Sequence, residues 1–294
     1  MNVLVLGATG YIGSAVVDRL VHAGHRVTAV SRSAAGAALP TGVVAVPGDL
    51  QDPQAIAALV TDDIDAVVHT AAPLGEAELP LIDALADALA GSGRPLLWTS
   101  GVWVLGRTGD TPADEDSPVA PIAITGPRAR IEARVLAAAE RDVRAVVVRP
   151  GVVHGRGVGI PAMLVDWART LGHGRWVGGA TSPRWPLVDV EDLAELYVLA
   201  STGASAGTVL HGIAEPGVPA EALARAAATG AGVEPTAVAW PEAEAAADLG
   251  APFAEALGLD QVVTAERARA LGWVPTRPSA VDDLATGSYA RVTA

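Results

Sequence analysis

The sequence predicts an α/β protein, a doubly wound parallel sheet with a smaller C-terminal lobe. Three observations predict it. Through the first two-thirds of the 294 residues, short apolar runs alternate with amphipathic stretches. The apolar runs are rich in leucine or β-branched residues and bounded by turn residues, as strands buried on both faces are. A glycine-rich loop separates the first such run from the first amphipathic stretch.

In chain order, Asn2–Leu6, Arg26–Val30, Val43–Val46, Ala66–His69, Pro95–Thr99 and Arg144–Val148 read as strands. Helical patterns lie between them near Gly13–Ala23, Pro53–Val60, Glu78–Ala90 and Pro127–Glu140. Strict strand–helix alternation places helices on both faces of a parallel sheet. After Pro150, Gly, Pro and Trp become frequent through Pro186, which predicts loops and short helices over a ligand site. A helix over Val190–Ala200 and a strand over Thr208–Gly212 follow. The Ala-rich remainder shows helical stretches near Pro219–Ala228 and Thr264–Leu271.

Composition narrows the function. The formal net charge of -13 argues against nucleic-acid or anionic-membrane partners. The chain has no cysteine, which excludes disulfides, thiolate catalysis and cysteine-held metals, and no metal site is expected. Charges and glycines interrupt every apolar stretch, so no membrane span is expected. No basic leader precedes the first strand, and the expectation is a cytoplasmic protein, monomer or homodimer, acting on a small molecule. All 20 basic residues are arginine.

The loop Gly7-Ala8-Thr9-Gly10-Tyr11-Ile12-Gly13 follows the first strand and opens the first helix. Glycines there let the backbone turn sharply and approach a pyrophosphate, while the helix N-terminus offers amides and a positive dipole end. In this strand–loop–helix setting the pattern points to a dinucleotide and a Rossmann-type sheet. The second strand ends at Ser31-Arg32-Ser33, and no acid occurs between Asp18 and Asp49. An acid at that place binds the ribose 2′-hydroxyl of NAD, whereas arginine suits a 2′-phosphate, so NADP(H) is expected over NAD(H). Residues 1–155, with 188–212 returning to them, are expected to form the dinucleotide-binding domain. Residues 156–187 and 213–294 are expected to form the substrate-binding lobe.

With these motifs in order, the chain resembles the extended or atypical branch of the short-chain dehydrogenase/reductase superfamily, of the NAD-dependent epimerase/dehydratase kind. Besides the glycine loop, the resemblance rests on Gly48-Asp49-Leu50 and Thr70-Ala71-Ala72-Pro73. It also rests on Thr99-Ser100-Gly101 and on Arg149-Pro150-Gly151-Val152-Val153-His154-Gly155. Further segments are Pro186–Ala194 and Leu271-Gly272-Trp273-Val274-Pro275. The resemblance implies that Asp49 and Leu50 contact adenine and that Thr70, Ala71 and Ala72 lie along the cofactor. It implies that Pro150, Val152 and Val153 contact the cofactor. Relatives often dimerise through helices flanking the active site.

The chain departs from the family at the proton-transfer element. Sliding Tyr-x-x-x-Lys-x-x-x-Glu onto Glu132 places Arg128 at the lysine and Ile124 at the tyrosine. Ile124 cannot move a proton. Arg128 can hold ribose hydroxyls and supply positive charge, but its own proton is unavailable. The tyrosines are Tyr11, Tyr197 and Tyr289, none of them on this helix. Three replacements are open. His154 offers an unperturbed pKa of about 6.5. Tyr11 offers a phenol from the glycine loop. Thr99 and Ser100 can polarise a carbonyl while water supplies the proton, Ser100 being the hydroxyl expected to face the substrate. Trp103, Trp167, Trp176 and Trp185 are expected around the substrate cleft, where a flat aromatic molecule stacks. Arg184 is expected either to bind a substrate carboxylate or phosphate or to form a surface ion pair. Gly203-Ala204-Ser205-Ala206-Gly207 matches a nucleophile elbow but has helix before strand, the reverse of what that motif needs.

Three functions are compatible with these residues. One is an NADPH-dependent reductase, plausibly of secondary metabolism, acting on a small apolar or aromatic molecule with an activated C=O, C=N or C=C. The others are a non-redox isomerase or cyclase and a dinucleotide-sensing regulator without turnover.

Overall fold

The computed structural model describes residues 1–32 and 39–290. The first half runs β1 (Asn2–Leu6), α1 (Tyr11–His22), β2 (Arg26–Ser31), β3 (Val44–Pro47), α2 (Pro53–Ala57), β4 (Ala66–His69), α3 (Glu78–Leu89), β5 (Pro95–Thr99), α4 (Arg128–Ala137) and β6 (Arg144–Pro150). It continues with β7 (Val152–His154), α5 (Ile160–Leu171), β8 (Gly174–Val177), β9 (Arg184–Asp189), α6 (Val190–Gly203) and β10 (Thr208–Gly212). The last part holds β11 (Glu215–Pro219), α7 (Ala220–Ala231), β12 (Ala237–Trp240), α8 (Glu242–Leu249), α9 (Ala251–Leu257), α10 (Glu266–Ala270) and α11 (Ala280–Thr286).

Seven strands form one sheet in the order β10-β6-β5-β4-β1-β2-β3, all parallel. The chain winds outward from β1 to β3, then returns to β4 and winds the other way. A ligand crevice opens where the order reverses, at the carboxyl ends of β1 and β4. Alternate residues of β1 serve opposite layers, as strand pleating requires. Val3 and Val5 pack with Val16 and Leu20 of α1 and Leu193 and Tyr197 of α6. Leu4 and Leu6 pack with Leu81 and Leu85 of α3 and Trp98 of β5.

The stretch from Pro150 to Pro186 differs from the loops and short helices the sequence led us to expect. It holds the twelve-residue α5 and three strands. Strands β7 and β9 pair in parallel and β11 joins β9 antiparallel; β8 and β12 form a separate pair. Trp176 and Trp185 are 5% and 3% exposed here and fill a core with Leu164, Leu223 and Leu284, rather than facing a substrate. The reason is volume. Apart from Leu223, the α7 residues in this core are alanine (Ala220, Ala224, Ala226, Ala227, Ala228, Ala231), and the large indoles help fill the space such small side chains leave.

The segment from Asp283 to Tyr289 is tied to β7 and the loop after it. His154 is buried, with Nδ1 3.1 Å from Oδ2 of Asp283 and 3.9 Å from Oδ2 of Asp189. The Ser288 amide donates to Oδ1 of Asp283 (2.7 Å), and Oδ1 of Asp189 accepts from the Glu191 amide, capping α6. The side chains of His154, Asp189 and Asp283 bring one donor atom each within 4.8 Å of one another. Tyr289 accepts from the Gly155 amide (2.8 Å) and donates to the Val158 carbonyl (2.7 Å). His154 is therefore a structural tie and not the acid–base group the sequence offered.

Two expectations follow. Burial raises the Asp283 carboxyl, but hydrogen bonds from His154 and Ser288 outweigh it and hold the group below the usual range. A depressed folded value stabilises above the unfolded pKa, about 3.9, and the gain is lost as pH falls through the folded value. Asp283→Asn is expected to cost about 1–3 kcal/mol in urea unfolding at pH 7, with the gap to wild type closing below roughly pH 4. A gap of equal size at pH 3 would contradict this reading. At Gly13 an added Cβ would sit 2.0 Å from the Gly7 carbonyl oxygen. Gly13→Ala is thus expected to lose at least about 1–3 kcal/mol by overpacking; an unchanged melting temperature would contradict it.

Candidate active-site cleft

The crevice holds two cavities in series. The first, about 530 Å³, lies over the glycine loop and is bounded by Gly7, Thr9 and Gly10. The end of β2 contributes Ser31 and Arg32, the turn after β3 contributes Asp49 and Leu50, and the turn after β4 contributes Thr70, Ala71 and Ala72. The backbone dictates the glycines. Gly7 has φ +84°, and a Cβ there would lie 2.5 Å from the Ala71 Cα. Gly10 is different: a Cβ on it would meet the Gly7 oxygen at 3.2 Å and nothing else close. It sits at the start of α1, whose first amides no side chain caps, a place suited to an anion. Asp49 turns one oxygen back to the Gln51 amide (3.0 Å). Arg32 is exposed at the rim; Ser33 lies outside the described residues.

The second cavity, about 440 Å³, joins the first at Pro73, which lines both. Tyr11 and Ile12 of α1 form one wall and Pro150, Val152 and Val153 another. Trp103, Ile124 and Thr125 close the outer side. From the C-terminal lobe expected to hold substrate, Gly159 and Ile160 reach it. Among the described residues, the lining contains no aspartate, glutamate or histidine. Its polar features are few. Ser100 is 9% exposed, and its Oγ has no hydrogen-bond partner. Arg128 opens α4, donates from Nη1 to the Thr99 carbonyl (2.7 Å) and lies 5.2 Å from the Trp98 ring. Burial lowers the Arg128 pKa while Glu78 and Glu132 raise it, and a guanidinium stays charged throughout.

Beneath this floor lies a polar network the sequence did not reveal. Oε1 of Glu78 accepts from Nε1 of Trp98 (2.7 Å) and sits 3.5 Å from Nε2 of His69. Burial pushes the Glu78 carboxyl up and, with Arg128 nearby, pushes His69 down to about 4. Glu132 is taken up by Arg149 in a bidentate pair at 3.0 and 2.6 Å. A glutamate on the otherwise apolar face of α3, opposite a strand tryptophan needing an acceptor, was the available signal.

Several candidate residues are placed elsewhere. Thr99 turns away from the cavity, its hydroxyl bonded to the His69 carbonyl (2.7 Å) and to Tyr197 (2.6 Å); its contribution is the carbonyl that holds Arg128. Tyr11 lines the cavity with its ring, but its hydroxyl donates to the Gly155 carbonyl (2.8 Å), and burial raises its pKa far above 10. Trp167 packs edge-on against Trp240, with Arg175 over both rings, so it is part of the C-terminal lobe. Arg184 is held by Asp260 through Nε (2.9 Å) and Nη2 (2.7 Å) and by Asp110 (3.1 Å), the ion-pair alternative. Of the four tryptophans expected at the cleft, Trp103 lines it.

The profile of the NAD dependent epimerase/dehydratase family matches residues 3–211. An uncharacterized protein of Schizosaccharomyces pombe is 32% identical over 307 aligned positions, covering 98% of this chain and 100% of its own. The 3-diazoavenalumate denitrifying reductase of a Streptomyces species is 30% identical, covering 97% and 99%. The crystal structure of human epimerase family protein SDR39U1 with NADPH superposes with TM-score 0.74 at 27% identity, covering 98% of this chain and 99% of that one. The chain belongs to the NAD-dependent epimerase/dehydratase family of extended short-chain dehydrogenases/reductases.

Proposed function

We propose that this protein is an NADP(H)-dependent reductase of a small, apolar or aromatic molecule whose C=O, C=N or C=C is already activated. The observation that carries this reading is the pair of cavities joined at Pro73. One has the glycines and uncapped helix start suited to a pyrophosphate, and the other is a greasy chamber without a protein acid. Hydride transfer asks of the protein chiefly that donor and acceptor be held face to face. An activated acceptor then dispenses with the tyrosine that Ile124 replaces. Arg128 would hold the nicotinamide ribose, and Asp49 the adenine. Arg32, at the β2 end where no acid stands, favours the 2′-phosphate. NADPH in the human relative and a reductase among the full-length relatives support the same reading. The missing tyrosine also favours a second reading, a non-redox isomerase or cyclase in the same chamber.

Fluorescence titration of the purified protein with NADPH and with NADH separates them. Arg32→Ala is expected to weaken NADPH by about tenfold or more, equivalent to about 1.4 kcal/mol, and to leave NADH nearly unchanged. Equal losses for both nucleotides would remove the case for NADP(H). No binding of either would overturn the reductase and turn attention to cofactor-free chemistry.

A further inference from the structure

Ser100 and Arg128 both line the apolar chamber, and the forked guanidinium of Arg128 can serve the nicotinamide ribose with one nitrogen and face a substrate with another. The Ser100 hydroxyl is buried and lacks any partner, an arrangement costly enough to expect a ligand atom in its place. Arg128 reaches the same cavity, tethered by the carbonyl of the residue preceding Ser100. No aspartate or glutamate among the described residues lines the chamber to face it. Glu132 is paired with Arg149, and Glu78 lies beneath the floor with Oε1 bonded to Nε1 of Trp98.

We infer that Ser100 and Arg128 form an oxyanion site, and that the substrate is a conjugated carbonyl compound reduced at its C=C bond. This rests on the reductase reading above and chooses among its acceptors. An iminium ion brings positive charge to a chamber that has only positive charge to meet it. A simple ketone becomes an alkoxide that demands a proton at once, and no acid is at hand. A conjugated carbonyl fits both constraints. Its β-carbon accepts a hydride from the reduced nicotinamide, which is oxidised. The C=C pair moves to join the α-carbon and the carbonyl carbon, and the carbonyl pair moves onto oxygen. The enolate oxygen takes a hydrogen bond from Ser100 and faces the Arg128 guanidinium, where a preorganised charge is worth most. Water then protonates the α-carbon, and the hydroxide formed takes a proton from the medium.

4-Nitrophenol tests the site without turnover. It is a flat apolar ring whose phenolate oxygen imitates the enolate, and its ionisation is read by visible absorbance. Titrated into the protein with NADP+ present, bound phenol is expected to ionise at lower pH than free phenol. The anion should be favoured by about tenfold or more, as a nearby opposite charge dictates. Arg128→Met should abolish that preference. Ser100→Ala, which breaks no existing hydrogen bond and so leaves folding intact, should reduce it. Ionisation at the free pH or above, or no binding of either form, overturns the oxyanion site. If NADPH binds in the earlier titration and this preference is missing, the inference fails alone and the reductase reading stands. A preference for the anion in a protein that binds no nucleotide overturns both.

Discussion

At the crossing of the first loop with the first helix there is no room for a side chain. A Cβ on Gly13 would meet the Gly7 oxygen at 2.0 Å, and a Cβ on Gly7 would meet Ala71 at 2.5 Å. This tight crossing seats α1 on β1 and brings the end of β4 against the loop. It also aims the start of α1 into the crevice where the winding of the sheet reverses. The division into two cavities follows from it, since the turn after β4 separates them at Pro73. Gly10 sits in the same loop without that constraint: a Cβ there would meet the Gly7 oxygen at 3.2 Å and nothing else close.

The parallel sheet was legible because burial on both faces leaves one solution for each short apolar run. The strands read from the sequence over Asn2–Leu6, Ala66–His69, Pro95–Thr99 and Thr208–Gly212 have the bounds seen in the structure. Beyond Pro150 the same reasoning failed for a physical reason. The strands there are three to six residues long, sit in two small sheets, and carry Gly, Pro and Trp at positions that tertiary packing decides. Tryptophan is the sharpest case. Residue type suggested a stacking surface, but an alanine-rich helix turned Trp176 and Trp185 into filler for a core. The cavity residues near the glycine loop were legible from motif spacing. The direction of a hydroxyl was not: Thr99 and Ser100 are neighbours with opposite fates, because successive side chains at a strand end leave on opposite faces.

Arginine at position 128 changes the electrostatics of the chamber more than its chemistry. A lysine can lose its proton when buried, and the guanidinium cannot. The protein therefore keeps a permanent cation under an apolar roof and steadies it from below with the Trp98 face and the Glu78–His69 pair. Among the described residues, the chamber lining has a fixed charge and an unpartnered hydroxyl but no aspartate, glutamate or histidine. On the proposed reading, such a site would stabilise charge that develops on a substrate and leave proton movement to solvent.

The wall of that chamber depends on the far end of the chain. The Tyr11 ring faces the cavity while its hydroxyl is fixed to the Gly155 carbonyl. The amide of Gly155 is in turn bonded to Tyr289, and His154 beside it is bonded to Asp283. The glycine loop, the turn after β7 and the C-terminal segment thus share one chain of buried hydrogen bonds, and partial loss of such a network costs more than its pairs suggest. A change at Tyr289 or Asp283 reaches the chamber by releasing Gly155, which frees the Tyr11 hydroxyl and with it the position of the ring. The C-terminal lobe contributes little of the lining directly; its larger part in the site is to hold in place the aromatic wall that the first helix presents.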